Sequence, residues 1–418
     1  MVDYFWIWSE LIVRWVHVIA GIAWIGSSFY FIALDLSLKP GKELPAQAHG
    51  QAWQVHGGGF YNMVKYLVAP VRMPDELTWF KWEAYGTWVS GIALMSLVYY
   101  GSASFYMIDF EILDINEIQA ISISLIGIGL GWACYDGLCR SPIGRNDVWL
   151  AVFGFLFLVA LAYSYGEIFS ARGAFMQMGV TIGTIMVANV LMVIIPGQRK
   201  VVVALKAGET PDPQYGVRGK QRSLHNNYLT LPVIFVMIGS HYPMVFATDY
   251  AWIILALVLL IGAVIRHFFN TKHSGGAPPW WTWAVATLMV FFIIYLSNIG
   301  KPNISDDEKL VSLQKNINHE VLLNAADVVE VHCAMCHAEN PSWERMSMPP
   351  KGLVLANEED IILNIDSLYQ QVVLSNAMPP GNITWMEYSE RETIKLLYQE
   401  ILKNRNTSSL WQQFKEIL

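Results

Sequence analysis

Eight runs of roughly twenty mostly apolar residues recur at 11–34, 84–108, 117–139, 147–167, 173–196, 226–247, 250–270 and 279–299. A helix that crosses a bilayer needs about 20 such residues. The backbone of each run must satisfy its own hydrogen bonds in lipid, which leaves helix as the only economical choice. The third run is rich in Gly and Ser. The sixth is short and holds Pro232 and Pro243, which is tolerated where neighbouring helices satisfy the freed carbonyls. Only 15% of the residues are charged, against about 25% in soluble domains. The chain is therefore expected to be all-α, with a polytopic eight-helix transmembrane bundle over 1–300.

Charge fixes the remaining organisation. Residues 301–418 carry 10 basic and 17 acidic side chains, and the rest of the chain is neutral. A polar linker is read at 301–320 and a small acidic, water-exposed domain at 321–418. The chain has no basic patch of the kind nucleic acid requires. Alternate loops (35–83, 140–146, 197–225 and 271–278, with Arg266) hold 15 Lys and Arg, and the opposite loops hold only Arg172. The rule that basic loops stay inside makes the first set cytoplasmic. The N-terminus and everything after residue 300 are then outside. No Lys or Arg precedes the first span, and its apolar run exceeds a signal-peptide core, so it is expected to remain as the first helix.

Cys333-Ala-Met-Cys336-His337 is a c-type haem attachment sequence. Two thiols one helical turn apart add across the two vinyl groups of a porphyrin, and the following His supplies an axial nitrogen. With Cys and His as scarce as they are here, a chance match has odds of roughly one in a thousand. A zinc site is disfavoured because no second CxxC or His pair follows. The sixth ligand is expected from Met378, in Ala-Met-Pro-Pro-Gly-Asn, 41 residues after His337. Met348 is the rival, only 11 residues after His337. Helix-like runs at 358–374 and 389–403 flank the Met378 loop, as in the small class I cytochromes c, with Arg391–Leu402 as the helix that crosses the first. His/Met ligation raises the potential of the iron. Haem c is attached outside the cytoplasmic membrane, which agrees with the topology read from charge.

Ionisable groups at membrane depth are costly and are functional candidates by default. Arg14, His17, Gly21 and Trp24 share one face of the first helix, and His241 lies late in the sixth. These, with Glu167, form an outer group. His56, Lys65, Glu83, His225 and Asn226 form an inner one, and His267 closes the seventh helix on the same side. Gly57–Gly59 is not a phosphate loop, because no Lys-Ser/Thr follows. Cys134 and Cys139 read as reduced, inert thiols.

Several stretches resemble the bacterial membrane-bound urate oxidases (urate hydroxylases), which join an eight-helix domain to a C-terminal cytochrome c. They are Arg14–Ser28, His56–Tyr61, Phe80–Tyr85, His225–Pro232, Cys333–His337 and Met378–Thr384. The resemblance implies oxidation of urate to 5-hydroxyisourate, water supplying the oxygen. Electrons would pass to the cytochrome and on to a downstream cytochrome or terminal oxidase. It places the chain in the bacterial inner membrane. Candidate catalytic residues are Arg14, His17, His241, His56 and His225. Urate is made in the cytoplasm, which favours the inner group. The haem lies outside, which favours the outer one. An inner site leaves the roughly 30 Å bilayer core between donor and acceptor, so either the site faces out or a second cofactor, such as a b-type haem on His17 and His241, lies between. The alternative reading is a membrane-anchored cytochrome c without a substrate of its own. A transporter with a fused haem sensor is a third, but the chain shows no clear internal repeat.

Overall fold

The computed structural model describes residues 2–41, 44–66, 70, 73–109, 112–246, 248, 250–298, 317–343, 349–350 and 353–417. Positions 301–316 of the expected linker, the rival ligand Met348 and the loop charges Lys42, Arg72, Glu111 and Asp249 lie outside the described residues.

Helix makes up 74% of the structure. Helix α1 (Val2–Ser37) leads to a hairpin, β1 (Ala48–His56) and β2 (Gly59–Tyr66). Helix α2 (Trp82–Leu94) continues through a wide π turn (Met95–Tyr99) and a tight turn (Tyr100–Ser102) into α3 (Ala103–Tyr106). Then come α4 (Glu117–Arg140), α5 (Asp147–Gly166), α6 (Ala171–Ala188), a π turn (Asn189–Ile194) and α7 (Ile195–Lys206). Next are α8 (Pro213–Gly239), α9 (Pro243–Phe246), α10 (Ala251–His273) and α11 (Trp281–Asn298). Among the described residues, five helices are long and apolar enough to cross a membrane: Trp8–Ser37, Glu117–Arg140, Asp147–Gly166, Ala171–Lys206 and Ala251–His273. Trp281–Ser297 is a shorter apolar helix. Large apolar side chains such as Trp15, Ile22, Leu288 and Phe291 face outward, as a lipid-facing surface requires.

Local signals explain several helix limits. Asn116 caps α4, accepting from Gln119 N at 3.0 Å while Gln119 Oε1 accepts from Asn116 N at 2.9 Å. This reciprocal pair satisfies two orphan donors at once. Helix α8 starts at Pro213 behind the cap Asp212, whose Oδ1 accepts from Gln214 N at 2.9 Å. The expected start near 226 was too late, because hydropathy finds the apolar half of a helix and not its polar first turns. The same limit cut the fifth run at 196, whereas α7 continues to Lys206. His241 lies beyond the end of α8, exposed in the turn that follows.

The hairpin corrects the all-α expectation. β1 and β2 pair antiparallel from Ala48↔Tyr66 to His56↔Gly59. Gly57 and Gly58 form the turn with φ of 58° and 79°, values that L side chains resist. This is the structural role of the His56-Gly-Gly-Gly segment.

The last part has its own hydrophobic core. Leu322, Ala325 and Val329 of α12 (His319–His332) meet Ile394, Leu397 and Ile401 of the last helix. Between them lie α13 (Ala334–His337), α14 (Glu358–Leu363), α15 (Ile365–Leu368) and a π turn (Tyr369–Leu374), so the expected run 358–374 is helical in pieces. The last helix, α16 (Tyr388–Ile417), extends past the expected Leu402. His332 Nε2 and Glu390 Oε1, 3.0 Å apart, tie α12 to α16.

Candidate functional site

Four separate parts of the chain enclose a cavity of about 280 Å³. Helix α1 contributes Trp24, Ser27, Ser28 and Phe31. The segment entering α2 contributes Thr78, Trp79, Phe80 and Glu83. The π turn and α7 supply Val190, Ile194, Ile195 and Gln198, and α8 supplies Ser223 and Asn226. Trp24, Phe31, Trp79 and Phe80 offer flat apolar faces. Ser27, Ser28, Gln198 and Asn226 offer hydrogen bonds, and Glu83 is the ionisable group in the lining. A concave, mostly apolar space with a few convergent polar groups is the usual form of a small-molecule site. Ser27 and Ser28 follow Trp24 by about one turn of α1, and Ser223 and Asn226 are one turn apart on α8, so each pair reaches the same space.

Buried polar groups hold this wall in place. Asn226 Oδ1 accepts from Asn189 Nδ2 at 2.9 Å, and its own amide donates to Met186 O at 2.8 Å. Arg222 donates to Asn189 Oδ1 at 3.1 Å and to Asp136 Oδ1 at 2.6 Å. Arg140 Nε meets the other oxygen of Asp136 at 2.6 Å. The Tyr135 hydroxyl lies 2.6 Å from His225 Nδ1 and accepts from Asn189 at 3.1 Å. Arg266 donates to Asn227 Oδ1 at 3.0 Å and sits over the Phe29 ring at 4.1 Å. These shared bonds fix the orientation of Asn189, Arg222 and Asn226, while the buried Asn227 Nδ2 has no hydrogen-bond partner among the described residues.

The structure separates the inner group read from the sequence. Glu83 and Asn226 share the small cavity. His225 and His267 line a second, larger one. His56 is exposed at the hairpin tip, and Lys65 is paired with Asp35. Of the outer group, Arg14 pairs with Glu10 and lies 3.5 Å from His241 Nε2. His17 instead turns toward α2, its Nδ1 2.9 Å from Thr87 O and 3.2 Å from Ser90 Oγ. Neither His17 nor His241 lines either cavity.

The Cys333–His337 turn has the geometry its spacing implies. Cys336 N and His337 N both donate to Cys333 O, at 3.1 and 2.8 Å. His337 donates its Nδ1 proton to Leu353 O at 2.9 Å, which fixes the ring and leaves Nε2 as a free acceptor. Burial pushes the Cys333 thiol up to about 12, with Cys336 adding to the effect and Arg391 opposing it. Met378 packs on the same core as Cys333. Buried Arg391 of α16 holds the backbone before and at Met378, donating to Val372 O at 2.5 Å and Met378 O at 2.9 Å. After Pro379 the chain turns through Pro380–Asn382, and Asn382 closes the turn with two 3.0 Å bonds to the backbone of Met386. Cys333, Cys336, His337 and Met378 are the residues that would hold a covalently attached haem.

This turn is seated on α3. Gly381 has φ of 57°, and a Cβ there would overlap the carbonyl oxygen of Ser104. Gly381→Ala is therefore expected to lift the turn from α3. Amide exchange should accelerate across Ala103–Tyr106 and at Gly381 and Asn382, while α12 and the first turns of α16 keep their protection. Unchanged exchange at Ala103–Tyr106 would show that the contact is not sustained.

A family model, urate oxidase N-terminal, matches residues 3–297. The chain belongs to this family. No curated protein and no solved structure matches it. The match ends before the Cys333–His337 segment. Within the urate oxidase N-terminal region, three of the stretches that carry the resemblance (Arg14–Ser28, Phe80–Tyr85 and His225–Pro232) meet at the small cavity through Trp24, Ser27, Ser28, Phe80, Glu83 and Asn226. Sequence reasoning missed Trp79, Gln198 and Ser223. Ser223 could have been found from its one-turn spacing to Asn226, whereas Gln198 carries no local signal.

Proposed function

We propose that the protein is a membrane-bound urate oxidase that passes electrons to a covalently attached haem c, with the α1–α11 part as an eight-helix membrane domain and residues 321–418 as a class I cytochrome c on the outer side. The family match over 3–297 carries this reading. The small cavity supports it. Trp24, Trp79 and Phe80 can stack on a purine. Ser27, Ser28, Gln198 and Asn226 can hydrogen-bond its carbonyls and ring N–H groups. Glu83 can accept a proton.

The reaction is urate plus water giving 5-hydroxyisourate, two protons and two electrons. Bound haem c would accept those electrons one at a time and release each to a downstream cytochrome or terminal oxidase. The protein's own part is to hold the purine flat, take up a proton at Glu83, and position the Met378 turn on α3. Glu83 and Ala103 are 20 residues apart along one nearly continuous helix, about 30 Å at 1.5 Å per residue. Transfer over that length takes more than one step. α2 and its continuation carry Trp88, Tyr99, Tyr100 and Tyr106 along the way, with Tyr99 and Tyr106 rings 5.4 Å apart next to the seated turn.

The test is anaerobic addition of urate to the oxidised protein in detergent, read as reduction of the c-type spectrum. The wild type should be reduced. Glu83→Gln, which keeps the shape and removes the base, should slow reduction about 10²- to 10⁴-fold with reduction by a small chemical donor unchanged. A wild type that ignores urate but accepts the chemical donor would favour the anchored electron-transfer cytochrome instead.

A further inference from the structure

The second cavity is of a different kind. It measures about 1820 Å³ and lies among α4, α5, α7, α8, α10 and α11. Around one end stand Arg145, Lys200, Arg218 and Lys220, together with Arg140, and Asp147 is the one acidic residue in its lining. Arg140 and the buried Arg222 are engaged by Asp136, and Lys200 rests over the Tyr215 ring at 5.2 Å. Away from that end the walls are apolar, with Leu150, Phe155, Leu158, Leu259 and Val264. The lining also includes Val148, Leu156 and Met192, which are 71%, 53% and 58% exposed. The space therefore opens sideways, through the face that meets lipid.

We infer that this cavity holds a phospholipid with an anionic head group, its phosphate among Arg145, Arg218 and Lys220 and an acyl chain against Phe155, Leu158 and Val264. Three properties argue for it together. The basic end lies where α4 ends and α8 begins, at the level of the head groups. Basic pockets between membrane helices are suited to anionic head groups. The walls below include the apolar side chains Phe155, Leu158, Leu259 and Val264, which suit an acyl chain, beside the polar edges of His225, Tyr228 and His267. The volume is several times that of the small cavity, far more than one purine fills. The inference is independent of the proposed substrate.

The test uses the full chain purified in mild detergent and examined by native mass spectrometry, then returned to phosphatidylcholine vesicles with or without phosphatidylglycerol. The wild type should retain phosphatidylglycerol and gain thermal stability from it. Arg145→Gln/Arg218→Gln/Lys220→Gln should retain at least tenfold less and lose that gain. Leu158→Trp, which fills the apolar part and leaves the charges, should also reduce retention, so a failure of the triple variant to fold would not decide the matter. Equal retention of phosphatidylcholine and phosphatidylglycerol by the wild type would overturn the inference. So would loss of urate binding in the triple variant with lipid retention unchanged, which would give the cavity to the substrate.

Discussion

Asp136→Ala is expected to destabilise the membrane part by about 3–5 kcal/mol, the cost of leaving a buried cation unpaired. Arg222 is 3% exposed and its guanidinium spans Asp136 and Asn189. Its flat face rests near the rings of Trp132 and Tyr135, at 5.8 and 5.0 Å. Without the carboxylate, an amide oxygen and two rings must hold the charge. Arg222→Leu should cost less, because Asp136 keeps Arg140 at 2.6 Å. The double variant should recover part of the loss, since an apolar replacement of a whole buried pair is often tolerated. Thermal unfolding in one detergent, with the three variants ranked against the wild type, checks the order. Asp136→Ala milder than Arg222→Leu would mean that water reaches Arg222 and that the pair is not closed. The small cavity shares this network through Asn189 and Asn226, so Asp136→Ala should also weaken substrate-driven reduction in whatever fraction stays folded.

Cys333→Ser/Cys336→Ser should abolish covalent haem, read as complete loss of haem-linked peroxidase staining on a denaturing gel. Met378→Leu should keep that stain and lower the reduction potential, because His/Met ligation raises it. His337 is already committed to one orientation by its bond to Leu353 O, and Arg391 holds the backbone carbonyl of Met378. The ligand turn should therefore survive the loss of the sulfur, and Met378→Leu should leave the stability of this part close to that of the wild type. Met348→Leu should leave stain and potential unchanged. A potential that falls for Met348→Leu and not for Met378→Leu would exchange the two ligands.

What could be read along the chain was chemistry that is local. A run of twenty apolar residues announces a long apolar helix by itself, and among the described residues five of the eight runs read from hydropathy coincide with helices long and apolar enough to cross a membrane, while 279–299 holds a shorter one. The Cys333–His337 motif occupies five consecutive positions, and its turn forms from bonds between neighbours. The hairpin escaped because its strands lack the alternation that marks a half-buried sheet. Trp53, Val55, Phe60 and Tyr61 all face outward, and only the Gly57–Gly58 turn left a sign. The polar start of α8 was read as loop because its charges hid the Asp212–Pro213 cap.

The candidate site was legible as residues but not as a place. Histidines drew attention because an ionisable group in a membrane is costly, yet His17 spends its Nδ1 on Thr87 and His56 stands exposed on the hairpin. Trp24, Glu83 and Asn226 were all noted, on three different helices, without any sign that they share one cavity. Periodicity shows which face of a helix is turned inward, but not which residue of another helix lies opposite. The sequence by itself determined the apolar spans, the polar last part and the Cys333–His337 motif, since each depends on residues within a few turns. Only the packing of α1, α2, α7 and α8 decided that Trp24 and Asn226 line one cavity, and only the seating of Gly381 on Ser104 decided where the Met378 turn rests. Those pairs are far apart along the chain, and side-chain shape at a close approach selects them.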